Sequence, residues 1–244
     1  MTATRFEDGH ESMKRKPADL TLRETLRWEP ESGFQRLEQH LRRLLRSADA
    51  LGFRAPKDPA SALKTTVSGD SPMKVGLVMN YKGELEIAAE PFKPLAPDAV
   101  WRLKIAEKTR LDSSDTFYRH KSSRREPYDA ARAEFSPKEA DEVLLLNERG
   151  EICEGSATSL FVEGPDGQLL TPPLDSGILP GVLRADLIRE RKARGQALKP
   201  EDLQGRKIFV GNSLHGLVPA ETGLIPKAQP PIHSSRARPF CLAR

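Results

Sequence analysis

Two side chains of opposite charge are the first candidates for chemistry in this 244-residue chain. Lys121 lies in the basic string Tyr118-Arg-His-Lys-Ser-Ser-Arg-Arg125, and Glu154 lies beside Gly155 between two apolar runs. A lysine acts as a nucleophile toward carbonyl groups when burial and neighbouring cations lower its pKa. Arg119, His120, Arg124 and Arg125 are positioned in sequence to supply that field, or to hold an anionic substrate. Taken alone the string reads first as a solvated basic run, and Lys121 gains meaning only alongside other groups. A single glutamate is ordinarily an exposed strand residue. The apolar runs Val143–Leu146 and Leu160–Val162 on either side of Glu154 favour burial instead. A buried carboxylate needs a cationic partner.

A second set of residues has the character of an anion site. Arg43 sits with Arg42 and Arg46 on an amphipathic stretch, yet Leu41, Leu44 and Leu45 surround it and turn it toward the core side. Pro180-Gly-Val-Leu183 opens a helical pattern, where unpaired backbone N–H groups attract anions. Gly211-Asn-Ser213 is a second glycine-led turn of the same kind. A ligand carrying both a ring cation and a phosphate satisfies the carboxylate and the anion site together, and pyridoxal 5'-phosphate (PLP) is such a ligand. His40, His120 and His215 show no metal-ligand spacing, and no nucleophile-elbow or Gly-rich nucleotide motif occurs. His10 and His233 lie in the tails.

The elements that must position these groups follow from periodicity. Leu20–Trp28 alternates as a strand, with Leu20, Leu22, Leu26 and Trp28 facing inward. Phe34–Leu51 places Phe34, Leu37, Leu41, Leu44, Leu45, Ala48 and Leu51 on one helical face, with Gly52 as its stop. Asp58-Pro-Ala-Ser61 caps a short helix. Met73–Tyr81 and Glu84–Ala89 form a hairpin around Lys82-Gly83. Pro91–Pro97 holds three prolines in seven residues and marks the domain boundary. Beyond it come a strand at Trp101–Ala106, a helix at Tyr128–Phe135, and the strands that flank Glu154. The turn Pro165-Asp-Gly167 and a short strand at Leu169-Leu170 follow. A long helix running through Arg184–Arg194 to Gly195, a short one at Leu198–Leu203, and strands at Lys207–Val210 and Leu217–Pro219 complete the chain. Met1–Pro17 and the segment after Pro226 read as irregular tails.

Composition sets the class. The hydrophobic fraction is 37% and the mean hydropathy is −0.55, polar for a globular protein but able to bury a core. Thirty-nine Lys and Arg against 35 Asp and Glu give a net charge of +4, too scattered for a nucleic-acid surface. No apolar run reaches membrane-spanning length and the start lacks a secretion signal, so a soluble cytoplasmic protein is expected. Cys153 and Cys241 are read as free thiols.

These pieces, in this order, resemble the class IV aminotransferase family, the fold-type IV PLP enzymes, from about Leu20 to Ala220. The most specific part is the EG…LF…LLTPP…G-L-PG-R pattern from Glu154 to Arg184. The strings RHKSSRR…YDAAR around Lys121 and GNSLHGLVPA at Gly211–Ala220 are most similar to 4-amino-4-deoxychorismate lyases. The resemblance implies an α/β (α+β) fold with a small N-terminal α/β domain (18–93), a larger C-terminal domain (98–230) and PLP in the cleft between them, within a homodimer. It implies Lys121 as the Schiff-base lysine and Glu154 as the partner of the pyridine nitrogen. It further implies phosphate contacts from Arg43, the backbone of Val182 and Leu183, and Ser213, with Asn212 beside it. The chain departs from the family pattern at Ser159, where asparagine is usual, and at Tyr128, seven residues after the lysine rather than close behind it. Its first strand lies close to its start, where many relatives carry earlier strands.

The resemblance makes a PLP-dependent lyase on the route to folate the leading reading, one that converts 4-amino-4-deoxychorismate to 4-aminobenzoate and pyruvate. Transamination of branched-chain or D-amino acids is the alternative, because both reactions use the same residues in their first steps. An anion- or RNA-binding protein that rests on the basic run alone is the outsider.

Overall fold

Apolar and polar side chains alternate along β1 (Leu22–Glu29), so Leu22, Glu24 and Leu26 share its buried face. The sheet period of two thereby carries a carboxylate into the core between two leucines. The computed structural model describes residues 20–223. Both expected tails, His10, His233, Cys241 and the outer ends of the two expected domains lie outside the described residues.

β1 is central to a four-stranded antiparallel sheet of order β2-β1-β3-β4, with β2 at Gly33–Phe34, β3 at Met73–Met79 and β4 at Leu85–Pro91. Helix α1 (Leu37–Leu51) packs on β1 and closes a core of Leu22, Leu26, Leu44, Ala48, Leu63, Val75, Leu77 and Met79. α1 starts three residues later than the periodicity suggests. Phe34 is taken by β2, where it pairs with Trp28, and Arg36 enters the helix from a left-handed conformation (φ 56°). At the other end Gly52 adopts φ 65° and its N–H returns to Ala48 and Asp49 carbonyls, as its side chain-free backbone allows. The short helix α2 (Pro59–Thr66) begins at Asp58, whose carboxylate accepts the Ser61 N–H at 3.1 Å.

The remaining strands build a second, mixed sheet of order β10-β9-β8-β11-β12-β5-β6-β7. In chain order these are β5 (Trp101–Leu111), β6 (Glu142–Asn147), β7 (Ile152–Gly155), β8 (Ser159–Glu163), β9 (Leu169–Thr171), β10 (Ala193–Gly195), β11 (Ile208–Asn212) and β12 (Gly216–Thr222). Every residue of β6 and β7 is buried, the apolar Val143–Leu146 and Ile152–Cys153 together with the polar Glu142, Asn147 and Glu154. Helix α3 (Glu126–Ala133) covers β5 and β6.

The long helix expected to reach Gly195 is broken. Helix α4 covers only Val182–Arg189, and Ala193–Gly195 instead pairs in parallel with Leu169–Thr171 as β10. Arg191 takes a left-handed conformation (φ 58°), and the N–H groups of Arg191 and Lys192 turn back to the Ile188 and Leu187 carbonyls. This is a helix stop made without glycine. The Leu198–Leu203 segment is a 3-10 turn over Pro200–Leu203 rather than an α-helix.

Candidate active site

Lys121 is held by a strip of backbone that sequence patterns do not reveal. Arg23 N–H donates to the Lys121 carbonyl and Ser123 N–H to the Thr21 carbonyl, each at 2.9 Å, with an antiparallel bridge between Leu22 and Ser122. The strip therefore clips onto the edge of β1, 100 residues away in the chain. Lys121 lines a cavity of about 300 Å³, and burial, reinforced by the Arg43 charge, brings its pKa down to about 8. The rest of the basic string disperses. Arg124 pairs with Asp115 at 3.1 Å and lies over Phe117, and Arg119 reaches Asp175 at 3.7 Å. Arg125 donates to the Ser156 carbonyl at 2.9 Å and covers the Tyr128 ring. The string is thus divided among separate local partners.

Glu154 closes the cavity from β7. Its Oε1 accepts the Tyr128 hydroxyl at 2.8 Å and the Leu179 N–H at 3.0 Å. Among the described residues no hydrogen bond is made to Oε2, which leaves that oxygen for a ligand. Burial raises the Glu154 pKa to about 7, outweighing the two donors and the Lys121 charge. Gly155 follows because nothing larger fits. A Cβ there would collide with Thr158 Oγ1 and lie 2.8 Å from the Glu142 carboxylate. Glu142 in turn accepts from Val143 N–H, from Ser156 N–H and Oγ, from Ala157 N–H and from Thr158 Oγ1, at 2.6–3.1 Å. The loop 155–158 is wrapped around one buried carboxylate.

The opposite wall comes from α1, α4 and the β11–β12 turn. Arg43 Nε and Nη2 grip the two oxygens of Glu24 at 2.8 and 2.6 Å, and Nη1 reaches the Pro180 carbonyl at 3.3 Å. His40 Nδ1 stands 2.6 Å from Glu24 Oε2, and its Nε2 stands 2.8 Å from Ser213 Oγ. Burial alone would raise the Glu24 pKa, but Arg43 and His40 overcome it and hold the carboxylate down to about 2. α4 starts at Gly181 with no side-chain cap, so the N–H groups of its first turn at Val182 and Leu183 face the cavity unclaimed. Gly181 is packed closely enough that a Cβ would sit 2.7 Å from Ser159 Oγ. Arg36 and Gln39 bind buried Asp186 at 2.7 and 3.3 Å and so tie α1 to α4.

All seven residues expected from sequence, namely Arg43, Lys121, Glu154, Val182, Leu183, Asn212 and Ser213, line this cavity. Asn212 does so with its side chain committed. Its Oδ1 accepts Leu214 and His215 N–H at 3.0 Å, and Nδ2 donates to Ala157 O at 3.3 Å, so it braces the turn that presents Ser213.

A family model described as class IV amino-transferase matches residues 21–222. The chain belongs to this family. Among solved structures, a "putative amino-acid aminotransferase" from Mesorhizobium loti is 47% identical, covers 84% of this chain and 100% of its own, and superposes with a TM-score of 0.80. A branched-chain aminotransferase from Thermobaculum terrenum, solved in its PLP form, is 19% identical over 82% of this chain and 75% of its own, with a TM-score of 0.69, a likeness of fold. Among curated relatives, a "putative aminodeoxychorismate lyase" of Schizosaccharomyces pombe is 24% identical over 185 residues, 72% of this class IV chain and 79% of that protein. A "probable branched-chain-amino-acid aminotransferase" of Thermotoga maritima is 44% identical, but over 52 residues, 21% of this chain and 19% of that protein.

Glu24 was not singled out from the sequence, and neither were the roles of His40 and Tyr128 in this wall. Glu24 had a detectable signal, a carboxylate on the apolar register between Leu22 and Leu26. His40 had a weaker one, three residues before Arg43 and on the same face of α1. The contact of Tyr128 with Glu154 had none, because α3 and β7 meet only through the tertiary fold.

Proposed function

We propose that this chain binds PLP through Lys121 and acts as a lyase that converts 4-amino-4-deoxychorismate to 4-aminobenzoate and pyruvate. One observation carries the reading. A lysine with a pKa of about 8, a buried carboxylate with a free oxygen, and an uncapped helix start between Arg43 and Ser213 share a single cavity. Each fits one part of PLP: the aldehyde, the pyridine nitrogen and the phosphate. Bound there, PLP supplies an electron sink for a carbanion at the amine-bearing carbon of the substrate.

The chain's own residues supply the rest. Glu154 Oε2 would hold the proton of the ring nitrogen, which requires the carboxylate in its ionised form. Tyr128 and the Leu179 N–H favour that form, and a ring cation adds to them. Lys121, whose free amine has a pKa of about 8, would, once the substrate amine has replaced it on PLP, take the proton from the amine-bearing carbon and return one later in the cycle. Departure of the enolpyruvyl group as pyruvate leaves an aromatic ring, which makes the elimination strongly favourable. Arg125, which lines the cavity and lies over Tyr128, would have to share its charge between Asp129 at 3.3 Å and a substrate carboxylate. The lyase relative and the strings around Lys121 and Gly211–Ala220 support this reading. A second reading, amino-acid transamination, is favoured by the 47% identity to the Mesorhizobium loti protein. We also propose a homodimer of two-domain subunits divided at Pro91–Pro97, located in the cytoplasm.

The test is the visible absorption spectrum after PLP is added, before and after borohydride, for wild type and Lys121→Ala. A reducible band present in wild type and lost in the variant supports the cofactor and its lysine. Pyruvate release from aminodeoxychorismate without any keto acid then supports the lyase, and turnover that requires a keto acid favours the transaminase.

A further inference from the structure

The Glu24–His40–Ser213 chain carries an inference that rests on the phosphate reading of the cavity and goes beyond it. We propose that His40 is a proton-coupled positioning residue, which takes up a proton when a phosphate binds and so frees the Ser213 hydroxyl, a donor to the neutral ring, to donate into the cavity instead. The geometry fixes the roles. Glu24, gripped through both oxygens by Arg43, is an ionised carboxylate and can only accept. At 2.6 Å from it, His40 Nδ1 must therefore carry a hydrogen. In a neutral ring Nε2 is then the acceptor, and at 2.8 Å it takes the Ser213 hydroxyl hydrogen. Ser213 is left presenting lone pairs to the cavity, the wrong polarity for a phosphate dianion.

An imidazolium reverses this. Nε2–H donates to Ser213 Oγ, and the Ser213 O–H swings free to donate to a phosphate oxygen. The proton comes from solvent to Nε2, and no other bond forms or breaks. The charged groups around the ring set the balance. Glu24 on β1 favours the cation, while Arg43 on α1 and Lys121 on the neighbouring strip oppose it, and on the β11–β12 turn His215 lines the same cavity. Burial is the largest influence and keeps the ring of the ligand-free protein below its ordinary value of 6.5, neutral at physiological pH. A phosphate dianion at Ser213 adds the negative charge that the ring lacks.

The experiment is calorimetric titration of inorganic phosphate into the full chain at about pH 8, in two buffers of different ionisation heat, paired with 15N NMR of the histidine rings. Binding is expected to take up about one proton per phosphate, with the His40 Nε2 signal moving to its protonated position. His40→Gln has no titrating ring, so it is expected to take up about one proton fewer than wild type, any remaining uptake belonging to Lys121 with its pKa of about 8. Phosphate binding in wild type without proton uptake and without the ring shift overturns the relay and leaves the phosphate reading standing. No binding heat and no perturbation of the Ser213 amide overturns the phosphate reading and the relay with it. If His40→Gln does not fold, the wild-type ring signal decides alone.

Discussion

Tyr128 donates its hydroxyl hydrogen to Glu154 Oε1 at 2.8 Å across 26 residues of sequence. The phenol is buried and lies beside a carboxylate, and both conditions push its pKa well above the ordinary range. It is therefore a permanent donor and supports the ionised form of Glu154. Tyr128→Phe removes that support, so the Glu154 pKa rises further from about 7. The acidic limb of the pH–rate profile should move to higher pH, and the rate on that limb should drop by up to about tenfold, the worth of one hydrogen bond to a charged group. An unmoved limb would show that Glu154 ionisation is not what the profile reports.

Glu154 itself weakens the ligand-free protein at high pH. Its folded pKa is raised from 4.5 to about 7. The protonated form is favoured by folding, so its contribution is fully present below pH 4.5 and is lost as pH rises through about 7. Glu154→Gln should thus melt higher than wild type at pH 8, by on the order of 3 kcal/mol, with the difference vanishing below about pH 5. The same variant should weaken retention of PLP. Thermal melts across the pH series, run without cofactor, check the sign.

Glu24 works the other way. Its pKa is lowered from 4.5 to about 2. The stability it contributes is present above pH 4.5 and is lost as pH falls toward 2. Glu24→Gln leaves Arg43 and His40 without their carboxylate and should cost about 3 kcal/mol at neutral pH. In urea titrations the gap to wild type should close as the solution is acidified, and a gap that stays constant with pH would argue against an ionised Glu24.

Gly155→Ala places a methyl group against Thr158 Oγ1 and the Glu142 carboxylate. Those atoms are locked in the loop's hydrogen bonds and have little room to give. We expect a loss of about 2–3 kcal/mol and displacement of Glu154. Denaturant unfolding measures the first, and the wavelength of bound PLP reports the second. Gly150→Ala, where a Cβ meets nothing within 4 Å but φ is 73°, serves as a backbone-strain comparison.

Much of the architecture was written locally. The alternation from Leu22 to Leu26, the amphipathic face of α1, the Lys82-Gly83 hairpin turn and the apolar β6 each depend on neighbours within a few residues, which sequence displays directly. Glu154 stood out for the same reason, as a charge between apolar runs. The Arg184–Arg194 pattern misled because its stop is a left-handed Arg191 instead of a glycine, and because β10 exists only by pairing with β9.

The residue types of the site, a lysine, a carboxylate, an arginine and two glycine-led turns, are properties of the sequence by itself. What they do to one another is not. The strip that clips Lys121 to Thr21–Arg23, the hydroxyl that Tyr128 aims at Glu154, and the Glu24–His40–Ser213 chain join residues 16 to 173 positions apart. Hydrogen bonds and pKa shifts depend on distances of a few ångströms and on exclusion of water. Only the packing of α1, α3 and α4 around the two sheets brings those groups within that range.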